Sequence, residues 1–450
     1  MIDSRSLKDI KKILIARTDV IGDVVLATAA LPSLRRAFPK AEIVFMGRKL
    51  TRGLIEANPL IDGFLIDRIA EGEAKTSKQL KDYAEYLGTM NFDLFISLWE
   101  NPIYRELAKL AAFKYWVVGD PPPRVLVKHQ VDYNLAVLRK IPIDTKPPEN
   151  LTIKLKPENT NYADNLLAPL KPPIIVIAVG SGKHDVRWET ESFISTAEYL
   201  IKKHNANIIL IGGKKEKAPS DKIEKRINSS KVLNLAGKTS IEEDAAIIGK
   251  SQLYIGGNTG PAHIAAALKI PSLVIFNAKD STVLRWGPWG TKHFVCIKKP
   301  DIAGSPSKKE VIEAAEKLLN HEGISGIEAS RYYWKQKMFR TMIFCNSNTN
   351  ETEEQAKKTV ALLKDNGFYV WELDGRKCHT WNIIPIIIEM ARKNINIIHH
   401  FGENSWLSKL LYRIARIHAV HLPIFSCDQG TYKTIDYLVD LYTEKFNQNE

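Results

Sequence analysis

Residues 253–276, LYIGGNTGPAHIAAALKIPSLVIF, constrain the fold more than any other stretch. An apolar run at 253–257 has the length of a buried strand, and a tight Asn258-Thr259-Gly260 turn follows it. A small-residue helix from Pro261 to about Lys269 then leads into a second apolar run at 272–276. Asn258 or Thr259 can cap that helix, and Pro261 suits its first turn, where a missing N–H is not missed. A strand feeding a glycine turn and a helix N-terminus leaves free N–H groups and the positive end of a helix dipole at the sheet's carboxyl edge. An anion, typically a diphosphate, sits there in open α/β proteins. His263 falls in the first turn and can add a side-chain donor. An ordinary βαβ turn with a capping histidine fits the same spacing, so geometry alone leaves both readings open.

At 450 residues the chain is too long for one ordinary core, and two or three domains are expected. Its 44% apolar and 26% charged residues match a soluble globular composition. The longest apolar stretches, such as 383–388, fall far short of the roughly 20 residues that span a bilayer. The N-terminus lacks the apolar core of a signal peptide, which implies a cytoplasmic location. Cys296, Cys345, Cys378 and Cys427 lie far apart with no C-x-x-C pair, which argues against a zinc site or a disulfide framework. The formal charge of +13 suggests an anionic partner: nucleic acid, a phosphorylated glycolipid or an acidic membrane face. No nucleic-acid signature accompanies the charge, and diffuse lysines also serve as solvated surface.

Along the chain, strands are expected at 12–16, 41–46, near 63–66 and at 92–98, with helices at 24–38, 76–87 and 104–112. Pro32 inside the first helix predicts a kink or break. Strands alternating with helices imply a parallel, doubly wound sheet. Seven prolines among polar residues make 141–173 read as a linker. A second α/β unit starts with the apolar run 174–179 and the turn GSGKHDVRW. It continues through strands at 207–211 and 232–235, helices at 190–204, 221–227 and 241–250, the stretch 253–276, and a last helix at 308–319. After Gly326 a third α/β unit begins, with strands at 341–345, 368–373, 395–399 and 419–425 and helices at 351–366, 384–393, 406–417 and 432–446. The domains expected are therefore 1–155, 156–325 and 326–450.

Two of these stretches carry a resemblance. NTGPAHIAAAL before an apolar strand resembles the donor-site motif of the family 9 glycosyltransferases, the lipopolysaccharide heptosyltransferases, in which an Asp-Thr/Ser-Gly-x-x-His sequence precedes an Ala-rich helix. ILIARTDVIGDVVLATAALPSLRRAFPKAEI resembles the same family's opening motif, where a Gly-Asp pair starts the first helix. The two lie more than 200 residues apart and in the family's order, and the likeness covers roughly residues 10–325. It implies an α/β fold of the GT-B type, two facing Rossmann-like domains with an N-terminal acceptor half and a C-terminal donor half. The extra C-terminal α/β unit lies outside it and is read as an accessory or docking domain.

The resemblance also implies roles. Asp23, in the Gly-Asp position, would be the catalytic base. A carboxylate at a helix N-terminus is held ionised and can accept the proton of the attacking hydroxyl; an Asp that only stabilises the helix end is the plainer reading. Thr259, Gly260 and His263 would cradle the donor diphosphate. Asn258 stands where the family has an aspartate, so it can hydrogen-bond sugar hydroxyls without carrying charge. The loop 180–188 corresponds to the family's second donor-side loop, with Val186 in place of its usual lysine. Lys183 or Arg187 would supply the cation for the leaving diphosphate, and Ser181 and Gly182 a hydroxyl and a close-approach backbone. Glu216 falls where the family has a ribose-binding acid, although a plain surface glutamate also fits. The implied function is an inverting transfer of heptose from ADP-heptose to a lipopolysaccharide inner-core acceptor, without cofactor or metal. The partners would be a nucleotide-sugar donor, a phosphorylated glycolipid acceptor and, peripherally, the inner face of the cytoplasmic membrane, with no nucleic acid. The rival readings are the same transfer with another nucleotide sugar and a non-catalytic sugar-nucleotide-binding protein.

Overall fold

The apolar runs pair side by side, all in parallel, into three sheets in a computed structural model of the chain. The structure describes residues 6–120, 129–145, 149–180, 188–277, 283–298, 304–338, 340–346, 350–365, 369–374, 397–402 and 424–427. Parallel strands are covered by helices on both faces and so read as near-continuous apolar stretches, which is why these runs were visible in the sequence.

The first sheet holds β1 (Lys12–Ala16), β2 (Glu42–Gly47), β3 (Gly63–Ile66), β4 (Leu94–Ser97) and β5 (Tyr115–Val118), in the order β3-β2-β1-β4-β5. The second holds β6 (Ile174–Ala178), β7 (Asn207–Ile211), β8 (Val232–Asn234), β9 (Leu253–Gly257), β10 (Ser272–Asn277) and β11 (His293–Lys298). Its order, β11-β10-β9-β6-β7-β8, is the doubly wound arrangement of a nucleotide-binding sheet. In each sheet the strand order reverses beside the first strand, between β1 and β4 and between β6 and β9. Ligands bind at such switch points, outside the carboxyl ends of the strands.

The connections follow local chemistry. Pro32 does break the first helix: helix Ile21–Ala27 passes through a 3-10 turn, Thr28–Ala30, into helix Leu31–Ala37, with the proline in its first turn. The proline-rich linker contains a helix that its composition concealed, Pro157–Leu167, with Pro157 at the tolerated first position. Ala163 and Leu167 on its inner face are buried, and it packs on helix Ile241–Gly249 of the second unit.

A helix at Ile327–Met338, within the stretch after Gly326, ties the first two units together. Trp334 is fully buried and its indole donates to His293 Nε2 at 2.9 Å, at the start of β11. One turn earlier, Arg331 Nη2 reaches both carboxylate oxygens of Asp132 (2.7 and 2.8 Å) on helix Gln130–Leu138 of the first unit. Trp289 adds a further tie through its indole bond to Glu149 O, 2.8 Å.

The third sheet holds β12 (Arg340–Asn346), β13 (Tyr369–Asp374), β14 (Ile397–Gly402) and β15 (Ile424–Cys427), in the order β13-β12-β14-β15. Helix Asn350–Asp365 packs on it. The helices expected at 384–393, 406–417 and 432–446 lie outside the described residues. Among the described residues no helix is long and apolar enough to cross a membrane.

Candidate active site

Both switch points end in chain that leaves a strand and enters a helix, and the fold brings those two helices into contact. Helix Ile21–Ala27 follows β1, and helix Gly260–Ala267 follows β9. They cross where each carries a glycine. A Cβ on Gly22 would lie 2.6 Å from His263 Cδ2, and one on Gly260 would lie 2.8 Å from Ile21 Cγ2. Neither position can take a side chain without a shift, so Gly22 and Gly260 permit the close approach of the two units.

On the first unit's side, the loop after β1 buries a charge cluster. Arg17 is 2% exposed and its guanidinium forks onto Asp19, with Nε to Oδ1 at 2.8 Å and Nη2 to Oδ2 at 2.7 Å. The same Nη2 meets Asp23 Oδ1 at 2.5 Å. Arg17 Nη1 donates to Leu98 O at 2.7 Å, which ties the cluster to the end of β4. A second chain of bonds props the loop from below: Thr18 Oγ1 and Tyr104 OH lie 2.5 Å apart, and Tyr104 OH donates to Asp67 Oδ2 at 2.5 Å. One guanidinium faces two carboxylates, so with both ionised the buried cluster carries one excess negative charge. Burial lifts the Asp23 carboxyl to about 7; Arg17 pulls the other way, and the Asp19 charge adds to the rise. Burial also raises Asp19. The sequence suggested a carboxylate held ionised by the helix dipole. Burial instead raises the carboxyl into the range where it exchanges its proton near neutrality.

On the second unit's side, Asn258, Thr259 and Gly260 are half-buried at the carboxyl edge of β9. Asn258 N–H donates to Ile275 O at 3.1 Å, so the turn is locked to β10. Thr259 occupies the N-cap position without accepting a bond; its hydroxyl turns back toward Gly257 O at 3.5 Å. The cap expected from Asn258 or Thr259 is therefore not made by a side chain. His263, expected to add a donor to the diphosphate seat, lies with its ring on Gly22 at 4% exposure, and its Nδ1 finds no partner. Burial pushes its imidazole down to about 4, so it is neutral.

Glu216 stands at the ends of β6 and β7. Its Oε2 accepts from Gly213 N–H at 3.0 Å, and its Cγ would be 3.0 Å from a Cβ on Gly180. It thus borders the loop that opens the second unit. Ser181, Gly182, Lys183 and Arg187, and Val186 with them, lie outside the described residues. Among the described residues no group of three or more His, Cys, Asp or Glu could hold a metal ion.

Some residues of this region carried no site signal in the sequence. Arg17 and Asp19 lie inside the ILIARTDVIGD string, but their pairing depends on how deeply the loop is buried. Arg285, after β10, acts electrostatically on Asp23 and bonds Gln130 Oε1 through Nε (3.1 Å) and Nη2 (3.0 Å), a partner 155 positions away.

Comparison with known proteins finds similarity over the first two units. The family model for glycosyltransferase family 9 (heptosyltransferase) matches residues 105–315. A putative glycosyltransferase of Haemophilus influenzae is 24% identical over 307 residues, covering 62% of this chain and 86% of that protein. Lipopolysaccharide heptosyltransferase 3 of Escherichia coli is 23% identical over 346 residues, covering 68% and 97%. Among solved structures, a glycosyl transferase family 9 protein of Veillonella parvula aligns with a TM-score of 0.60 at 21% identity, covering 69% of this chain and 98% of its own. The E. coli ADP-heptose lipopolysaccharide heptosyltransferase II aligns with a TM-score of 0.58 at 18% identity, covering 69% and 99%. The first two units have the GT-B fold of these structures.

Proposed function

The chain carries a glycosyltransferase family 9 domain and is a glycosyltransferase, and on that premise we propose that it moves heptose from ADP-heptose onto a lipopolysaccharide inner-core acceptor. The observation that carries this reading is the meeting of the two switch points. A buried carboxyl of near-neutral affinity sits on one helix, and the helix it touches begins at the Asn258-Thr259-Gly260 turn.

The reaction is a single displacement. The acceptor hydroxyl oxygen attacks the anomeric carbon of the donor as the bond from that carbon to the diphosphate oxygen breaks, and configuration inverts. Asp23 takes the hydroxyl proton in its ionised form, while Arg17 and Asp19 fix its position. The departing ADP keeps the bonding electron pair. The N-terminal end of helix Gly260–Ala267, the turn at Asn258 and Thr259, and the loop residues Ser181, Gly182, Lys183 and Arg187 receive its diphosphate. Glu216 takes the ribose. His263 serves from below, as the packing surface that sets helix Ile21–Ala27 and with it Asp23. Diphosphate charge is met by the helix end and the loop cations, so the reaction runs without a metal. The net charge of +13 suits an anionic glycolipid acceptor at the inner membrane surface, approached peripherally.

Asn258 favours a second reading, the same displacement with a different nucleotide sugar, because an amide there accepts different hydroxyl patterns than an aspartate. Thermal-shift profiling of ADP-, GDP- and UDP-sugars separates the two. Selective stabilisation by ADP-heptose is expected, and selective stabilisation by a GDP- or UDP-sugar would assign the donor differently.

A further inference from the structure

We propose that Tyr254 is a positioning residue for the donor: when a nucleoside diphosphate binds, its hydroxyl donates to Thr259 Oγ1 and so turns the Thr259 hydroxyl onto a diphosphate oxygen. The inference rests on the transferase reading above and adds a buried group behind its donor turn.

Tyr254 is the second residue of β9 and is fully buried. Residues two apart on a strand share a face and lie about 6.6 Å apart along it, which a tyrosine side chain can bridge. Position 256 on that face is a glycine, and a Cβ there would strike the Tyr254 hydroxyl oxygen. The ring therefore lies along the strand over Gly256. Its hydroxyl is carried toward the carboxyl end, where the Asn258-Thr259-Gly260 turn begins. Packing alone has no use for that oxygen, and buried polar atoms are ordinarily bonded. This one has no hydrogen-bond partner among the described residues.

Burial raises the phenol, the Thr259 hydroxyl pulls the other way, and the Asp244 charge adds to the rise, so Tyr254 keeps its proton. Asp244 acts on it through charge, and its Oδ1 already accepts from Thr239 Oγ1 at 2.6 Å. Thr259 is the neighbour left to receive that proton. It stands at the N-cap of helix Gly260–Ala267 without accepting a bond there, and its own bond to Gly257 O is long, at 3.5 Å. A hydroxyl offers one donor and two acceptor lone pairs. Trading the long bond for a diphosphate oxygen leaves a Thr259 lone pair to accept from Tyr254. Each bond in such a chain polarises the next, and the one that ends on an anionic oxygen is of the stronger, charge-assisted kind. No covalent bond changes, and each proton stays on its own oxygen. The phenol is thus unpaired in the free protein and satisfied in the complex, so its unmade bond favours binding.

The test first finds which of ADP, GDP and UDP raises the melting temperature of the full chain. Calorimetry then gives its affinity for the parent, Tyr254→Phe, Thr259→Val and the double variant. Tyr254→Phe removes an unpaired oxygen, so without ligand it should melt no lower than the parent. It should bind the diphosphate about threefold to tenfold more weakly, the worth of one hydrogen bond. In the Thr259→Val background the same substitution should change affinity by less than about twofold, because no hydroxyl remains to be directed. Thr259→Ser keeps the hydroxyl and should keep the Tyr254 effect. Unchanged affinity in Tyr254→Phe overturns the proposal, as does an equal loss in the Thr259→Val background, which would make the effect one of packing. A Tyr254→Phe variant that does not fold, or melts well below the parent, overturns it too, since the phenol would then be bonded in the free protein. A parent that none of the three nucleotides stabilises counts against the transferase reading itself. A parent that binds one of them, with Tyr254→Phe indistinguishable from it, counts against Tyr254 alone.

Discussion

Asp23 sits where ionisation is costly, buried beside an Arg17–Asp19 pair whose charges already cancel, so its own ionisation leaves the cluster with one excess negative charge. Its pH behaviour follows from that cost. The base works only when ionised, and a carboxyl lifted to about 7 loses its proton only near neutrality. kcat/KM should therefore rise about tenfold per pH unit below about 7 and level off above it. A plateau reaching down to pH 5 would mean that Asp23 titrates as an ordinary carboxylate and that burial does not govern it. At this scale the sequence was partly legible. Asp23 stood out because a Gly-Asp pair opens a helix after a buried strand, a local pattern. Its raised affinity for a proton was not legible, because that depends on Arg17 lying 2% exposed and shared with Asp19. Arg285 carried no signal, since its bond to Gln130 spans 155 positions.

At the scale of elements, the account turns on two crossed helices that meet through glycines. Gly260→Ala would push a methyl group into Ile21 and should destabilise by about 1–3 kcal/mol, as overpacking does. Ile21→Ala should recover part of that loss, so a double-mutant cycle in urea should show a coupling of at least ~0.5 kcal/mol. Strict additivity would mean that the helices do not touch there. His263 offers a second check on the same contact. Its folded-state affinity lies near 4, below the unfolded value of about 6.5. Between these values the unfolded chain binds a proton that the folded chain refuses, so stability falls as pH drops from about 6.5 toward 4. Above 6.5 the group costs nothing. The parent should lose about 1.4 kcal/mol more than His263→Asn for each pH unit in that window, read from urea midpoints. Equal slopes would place His263 in water.

Strands and helices were the most legible elements, because doubly buried strands are apolar runs and amphipathic helices have caps. β5 was missed because its YWVV run is short and half-exposed at the sheet edge, and β11 because HFVCIK mixes polar residues with apolar ones. Helix Pro157–Leu167 was hidden by the prolines around it.

Across the whole molecule, the first two units are joined by the helix Ile327–Met338, which lies beyond the point where the sequence pattern restarts. Removing Trp334 from its buried seat would leave a cavity of the kind that costs about 3–5 kcal/mol. A chain ending at Met338 should melt cooperatively and be stabilised by ADP, while one ending at Gly326 should lose that transition or melt many degrees lower. Equal melting of the two would place the helix with the third unit. Sequence could not show this crossing, because Arg331 and Trp334 find partners on Asp132 and His293, far away in the chain. The central claim, that the acceptor is deprotonated by Asp23 while the facing helix holds the departing diphosphate, is tested by one comparison. Asp23→Asn and the parent are incubated with ADP-heptose and an inner-core acceptor, and glycosylated product is counted by mass spectrometry alongside calorimetric ADP binding. The variant should bind ADP within about threefold of the parent and form product about 10²–10⁴-fold more slowly; product at the parent's rate would contradict the account.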